Sequence, residues 1–216
     1  ITGGDGNNTI IARAGNDQVT LGNGANNIDL GSDNNTVTTG SGNDTIAALA
    51  GNNTVDAGDG TNQITLGTGM NTVITGSGAD AITITGGGGT VQAGDGLNVI
   101  HVGAGAYSIT TGIHADNITV GNGNDTIAAG DGNNTIHGGT GVMQITLGVG
   151  DDSVTLAGGG GTINMGDGTN QATVGGGNYT ITGGSTDDTL VVGDGNNAIF
   201  MGDGTNSVTT GNGNNS

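Results

Sequence analysis

From Gly4 onward the chain divides into nine-residue units without one insertion or deletion: GDGNNTIIA, RAGNDQVTL, GNGANNIDL, and so on to GDGTNSVTT and GNGNNS. With Ile1-Thr2-Gly3 as the tail of a preceding unit, the 216 residues are 24 nonapeptides. A strict short period means a stack of equivalent units, because a single unit buries almost nothing and only its neighbours complete a core. Gly fills the first place in 20 units and the third in 21. Gly-x-Gly lets the backbone take φ > 0 and turn tightly. The five residues that follow are β-prone, and the seventh place is Ile, Val or Leu everywhere except Ala172. Alternate side chains of a strand share a face, so places seven and nine, apolar or small, point one way while the mostly polar six and eight point the other. Each unit is thus predicted to be one short strand and one turn. The fold class this dictates is all-β, a parallel β-solenoid.

The fifth place gives the size of a coil. In the odd-numbered units, counted from Gly4, it is always Asp or Asn, whereas the even units also carry Gly89, Tyr107, Met143, Gly161 and Tyr179 there. Two parities with different rules occupy two different edges, which makes two units, 18 residues, per coil. About 12 coils at ~4.8 Å each form a flattened rod about 58 Å long. The whole span 1–216 reads as one continuous solenoid. Neither end resembles a polar cap, which points to a longer array or to a rod that stacks end to end.

Composition excludes most chemistry. With 51 Gly and no Pro the chain is not collagen, and with Phe200, Tyr107 and Tyr179 as its only aromatics it cannot fill a broad globular core. The absence of Cys rules out disulfides and thiolate metal sites. Nineteen acids, all Asp, face one base, Arg13; a net charge of -18 repels nucleic acid and anionic membranes and makes cations the natural partners. No apolar run approaches the ~20 residues needed to enter a bilayer. Without Lys, Glu or Cys there is no P-loop lysine, thiolate nucleophile or EF-hand glutamate. His101 and His137 share place eight two coils apart, roughly 10 Å, too far to ligate one zinc ion. Together with His114 at a turn glycine place, they read as exposed polar residues. No catalytic residue is expected. The nine Asn-x-Ser/Thr sequons follow from a turn that ends in Asn and a strand that begins with Thr.

The odd edge carries an acid rhythm. From Asp44 onward, units with Asp at place five (Asp44, Asp80, Asp116, Asp152, Asp188) alternate with units that have Asn there and Asp at place two (Asp59, Asp95, Asp131, Asp167, Asp203); Asp5 is an earlier member. Unit charges ~4.8 Å apart repel by about 0.9 kcal/mol in water and about 3.5 kcal/mol at an effective dielectric near 20. Such a column calls for cations. Ca²⁺ takes six to eight oxygens from Asp, Asn and backbone carbonyls, and Gly turns leave carbonyls unobstructed. Turn propensity explains Asx at these places, but not the alternation between them.

At this point the units resemble the RTX nonapeptide, Gly-Gly-x-Gly-x-Asp-x-U-x, a calcium-binding β-roll repeat. GSGNDTIAA and GNGNDTIAA match all but its first glycine. The resemblance spans the chain and implies a β-roll with Ca²⁺ held by the family's Asp, at Asp17, Asp44, Asp80, Asp116, Asp125, Asp152 and Asp188. Seventeen units lack that Asp, twelve of them having Asn, so the even edge is expected to be metal-poor. The resemblance also implies a bacterial extracellular protein exported by a type I system.

On the even edge, TGGGG at 85–89 recurs as AGGGG at 157–161, and Tyr107 recurs as Tyr179, both with a spacing of 72 residues. A bare Gly edge beside projecting Tyr side chains is one expectation for a lateral contact surface; tighter turns with stray aromatics is the other. The leading functional expectation is an extracellular structural protein, a calcium-stabilised solenoid that self-associates end to end or laterally into a filament, sheath, matrix or surface layer. The alternatives are a calcium-binding spacer or ligand-holding segment of a large RTX adhesin or toxin, touching cell surfaces or polysaccharide, and an ice-binding solenoid.

Overall fold

The structure, a computed structural model, describes residues 1–216. It contains twenty-one strands, from Thr9–Ile11 to Ser207–Thr210, and no helix. Every strand pairing is parallel and joins residues 18 apart: Ile28 lies over Ile46, Ile46 over Ile64, Ile64 over Ile82 and Ile82 over Ile100. One slip interrupts this register, between Ala128 and Gly130. The chain is a parallel β-solenoid of about eleven turns with 18 residues in each. The backbone therefore hydrogen-bonds to the coils above and below it, which is how a strand only three to six residues long is held at all.

The core lies between the odd and even strands. Its spine is the seventh place: Ile28, Ile46, Ile64, Ile82, Ile100, Ile118 and Ile136 stack in one file, all fully buried. The ninth place widens it with residues such as Leu30, Leu66, Ile84 and Val102. Burying each branched side chain stabilises the stack by about 1.5–3 kcal/mol. Alternation appears in the burial of each strand; Gln63–Thr68 runs exposed, buried, exposed, buried from its start.

Two strands depart from the nine-residue rhythm. Ala81–Gln92 and Val99–Thr110 are twelve residues long and run through what is elsewhere an even-edge turn, pairing residue for residue over most of their length. They join the odd and even faces into a single sheet. The Gly86–Gly89 run allows this path: Gly89 has φ of 130°, and a Cβ there would fall 1.9 Å from the Asn71 carbonyl oxygen. The expectation of projecting tyrosines is overturned. Tyr107 and Tyr179 are 2% and 1% exposed, because place five shares the inward phase of seven and nine, and their hydroxyls are buried without a partner.

The third place takes φ > 0 in most units, including two of the three where it is not Gly, with Thr186 the exception. Asp33 and His114 hold φ of 84° and 138° there. The first place alternates on the odd edge: Gly58, Gly94, Gly130, Gly166 and Gly202 take φ of 60–73°, whereas the intervening Gly40, Gly76, Gly112, Gly148 and Gly184 do not have positive φ. The 36-residue rhythm of the sequence is thus also a rhythm of the backbone.

Candidate metal centre

On the odd edge place five is the last turn residue before each strand, and the inward phase carries its side chain beneath the turn. On the odd edge all ten residues from Asn26 to Asp188 at this place are 1–2% exposed. They form a ladder in which Oδ1 of each accepts the backbone N–H one coil earlier. Asn62 donates to Asp80 at 2.8 Å, Asp80 to Asn98 at 3.1 Å, Asn98 to Asp116 at 2.8 Å and Asp116 to Asn134 at 2.9 Å.

Asn and Asp serve this ladder equally with Oδ1 and differ in the other atom. Asn98 Nδ2 donates to the carbonyls of Gly94 and Gly96 in its own turn, at 3.3 and 3.1 Å, and Asn134 Nδ2 treats Gly130 and Gly132 the same way, at 3.3 and 2.9 Å. An Asp puts an acceptor where Asn puts that donor. Oδ2 of Asp17, Asp44, Asp80, Asp116, Asp125, Asp152 and Asp188 is accordingly buried without a hydrogen-bond partner. The equivalent turn carbonyls beside three of them, on Gly40 and Gly42, Gly76 and Gly78, and Gly112 and His114, accept no hydrogen bond. Oxygens converge at these turns with no proton to share.

Burial raises the pKa of Asp80, Asp116 and Asp125, and lifts that of Asp152 to about 6. For Asp80 the chief opposing influence is the Thr75 hydroxyl and for Asp116 the Thr111 hydroxyl. The proton of Thr75 is nevertheless directed at the Ala93 carbonyl, 3.0 Å away, and Asp80 Oδ2 keeps no partner. An anionic oxygen among carbonyl oxygens fits a hard cation such as Ca²⁺. No three acidic or histidine side chains come together anywhere, so a cation at such a turn draws most of its protein ligands from neutral oxygens.

The alternating place-two acids lie elsewhere. Asp5, Asp59, Asp95, Asp131, Asp167 and Asp203 are exposed on the outside of the turn. The first four accept, through Oδ1, the place-two N–H of the next coil: Asn23 to Asp5 at 2.8 Å, Ser77 to Asp59 at 2.7 Å, Ile113 to Asp95 at 3.0 Å and Val149 to Asp131 at 2.9 Å. Asp167 accepts the Ser185 hydroxyl at 2.8 Å. The Ser77 amide and hydroxyl hold the Asp59 pKa below its ordinary value. The two sets of the sequence rhythm are therefore an inner file and an outer file. Place-two Asp stands in the coil whose inner file has Asn, which separates inner-file Asp residues by two coils.

On the even edge the inner file reads Asp17, Asn35, Asn53, Asn71, Gly89, Tyr107, Asp125, Met143, Gly161, Tyr179 and Asn197. Only Asp17 and Asp125 bring an unpartnered carboxylate oxygen there. His101, His114 and His137 are exposed, and none belongs to a cluster of three acidic or histidine side chains.

A parallel solenoid with buried turn carboxylates set among unbonded carbonyls is a cation-binding β-roll. The chain belongs to the RTX calcium-binding nonapeptide repeat family, whose model matches residues 2–37, 29–64, 38–73, 110–142, 166–199 and 182–216, more than half of its length. No curated protein and no solved structure matches it. Calcium is the family's ion. No helix is long and apolar enough to cross a membrane.

Proposed function

We propose that this chain is a calcium-set spacer rod, a segment that holds other parts of a large secreted or surface protein at a fixed separation. The observation that carries the reading is the set of seven buried Asp Oδ2 atoms without a hydrogen-bond partner. Each costs free energy in the stacked state unless a cation neutralises it, by about 1–3 kcal/mol and more when charged. Folding and calcium binding are then one equilibrium: low calcium keeps the chain open, and millimolar calcium outside a cell sets the rod. Asp17, Asp44, Asp80, Asp116, Asp125, Asp152 and Asp188 would hold the ions together with turn carbonyls. Of the outer acids Asp5, Asp59, Asp95, Asp131, Asp167 and Asp203, the first four instead cap amides, and all six solvate the edge. The role is mechanical and ion-binding.

Calcium titration followed by circular dichroism, with bound ions counted by calorimetry, tests this. The expected result is a coil-to-sheet transition that saturates near seven ions per chain. Near thirteen ions would bring the outer acids into the sites, and a chain fully folded in chelator would remove the switch. Electron microscopy of the calcium-loaded protein separates isolated rods, expected for a spacer, from filaments, expected for a self-assembling matrix protein.

A further inference from the structure

The ninth place of the even strands should be apolar, yet Thr39, Thr75 and Thr111 sit there, 5%, 5% and 6% exposed. They recur every 36 residues, and each precedes by five residues an inner-file Asp: Asp44, Asp80 and Asp116. In the alternating coils the same place is Ala57, Ala93 and Ala129, followed by Asn62, Asn98 and Asn134. A hydroxyl thus appears in step with the carboxylate and disappears where Asn closes the turn by itself.

The place lies against the carboxylate. At its later counterpart Gly183, an added Cβ would stand 2.6 Å from Asp188 Oδ2. The single proton of each hydroxyl is already used, donated to the carbonyl of Ala57 at 3.1 Å, Ala93 at 3.0 Å or Ala129 at 2.9 Å. In that rotamer each oxygen turns lone pairs rather than a proton toward the carboxylate, an arrangement that a cation between them would stabilise. The first- and third-place carbonyls of these three turns accept no hydrogen bond, as at Asp17 and Asp125, which follow Ala12 and Val120 and so lack the hydroxyl, whereas the Gly148 and Gly184 carbonyls beside Asp152 and Asp188 accept the amides of Asp167 and Asp203 at 3.1 Å. Asp152 and Asp188 follow Leu147 and Gly183, which offer no side-chain oxygen.

We propose that the hydroxyl oxygens of Thr39, Thr75 and Thr111 are additional ligands of the cations at Asp44, Asp80 and Asp116, making those three a tighter class of site than the other four. The inference rests on the calcium reading above and adds to it a division of the sites. A hard cation gains from every further oxygen in its shell, so calcium loads the middle of the odd edge first and the C-terminal coils later.

The test is calcium calorimetry on the wild-type chain and on the triple variant Thr39→Val, Thr75→Val, Thr111→Val, which keeps shape and removes the hydroxyls. The wild type should titrate in two classes, three ions then four. The variant should lose about tenfold or more in the affinity of the three tight sites with the others unchanged, and Thr→Ser at the same places should retain the tight class. An unchanged isotherm, with a melting temperature lowered equally in calcium and in chelator, would overturn the proposal and leave the hydroxyls as partners of the Ala carbonyls alone. A wild type that takes up no calcium would instead overturn the site reading itself. If the triple variant does not fold, Thr111→Val alone should convert one tight ion into a weak one; three tight ions in that variant would overturn the assignment.

Discussion

The backbone amide of Asn98 donates to Oδ1 of Asp116, 18 residues further on, at 2.8 Å, while Asp116 Oδ2, buried beside it, has no partner. One carboxylate therefore both stitches two coils together and leaves a charge to be neutralised. Asn at this place would do the first without the second.

Asp116→Asn should accordingly make its coil independent of metal. In chelator the stability should rise by about 1–3 kcal/mol, since an unpaired buried acceptor becomes a donor to the Gly112 and His114 carbonyls. In calcium the variant should bind one ion fewer. Urea midpoints with and without calcium measure both effects.

The metal-free fold should weaken as pH rises. Asp80, Asp116, Asp125 and Asp152 have folded pKa values raised by burial, Asp152 to about 6, so the folded state holds protons that the unfolded chain releases near pH 4. Their contribution is fully present below about pH 4 and is lost as pH climbs through the folded values, a window reaching about pH 6 for Asp152. In chelator, the urea midpoint at pH 4.5 should exceed that at pH 7.5; saturating calcium should flatten the difference.

Gly96 is irreplaceable for a backbone reason. Its φ is 127°, and a Cβ would lie 1.9 Å from the Gly78 carbonyl oxygen. Gly96→Ala should cost about 3 kcal/mol or more in calcium-loaded protein, visible as a lowered melting temperature.

His114 is the converse case. It occupies a third-place glycine position with φ of 138°, a conformation that costs a residue with a Cβ about 1–3 kcal/mol. His114→Gly should stabilise the rod by about 1 kcal/mol in thermal unfolding without altering the number of ions bound.

Tyr107 carries a buried hydroxyl with no partner. Tyr107→Phe keeps the ring that fills the even-edge core and removes the orphan, so stability should be unchanged or higher by about 1 kcal/mol.

The nine-residue period, the 18-residue coil and the inward seventh and ninth places were all legible in the sequence, because each follows from a repeat that never slips. The inner face of place five was implied by the same alternation. A count of Asp residues along an edge puts Asp44 and Asp59 in one column and does not tell the inside of a turn from the outside. The same holds for Tyr107 and Tyr179: large aromatic residues in Gly-rich turns suggest display, while their phase puts them in the core. The long strands Ala81–Gln92 and Val99–Thr110 had no sequence signal beyond the Gly runs, which are compatible with either a turn or a strand. Thr39, Thr75 and Thr111 did carry a signal, a 36-residue recurrence in step with Asp44, Asp80 and Asp116, but a Thr among strand threonines is easily passed over.

Because almost every bond between coils reaches a residue 17 to 19 positions away, each coil knows only the one before and the one after it. A gene that duplicates or deletes 36 residues keeps the coil-to-coil register and, on the odd edge, the inner Asp–Asn order and the alternating turn shapes. The reach of the rod can then be reset in steps of about 9.6 Å, each step adding the same increment to its demand for calcium. Such a molecule is a ruler whose graduations are themselves ion sites, and its length can evolve without redesign of its core.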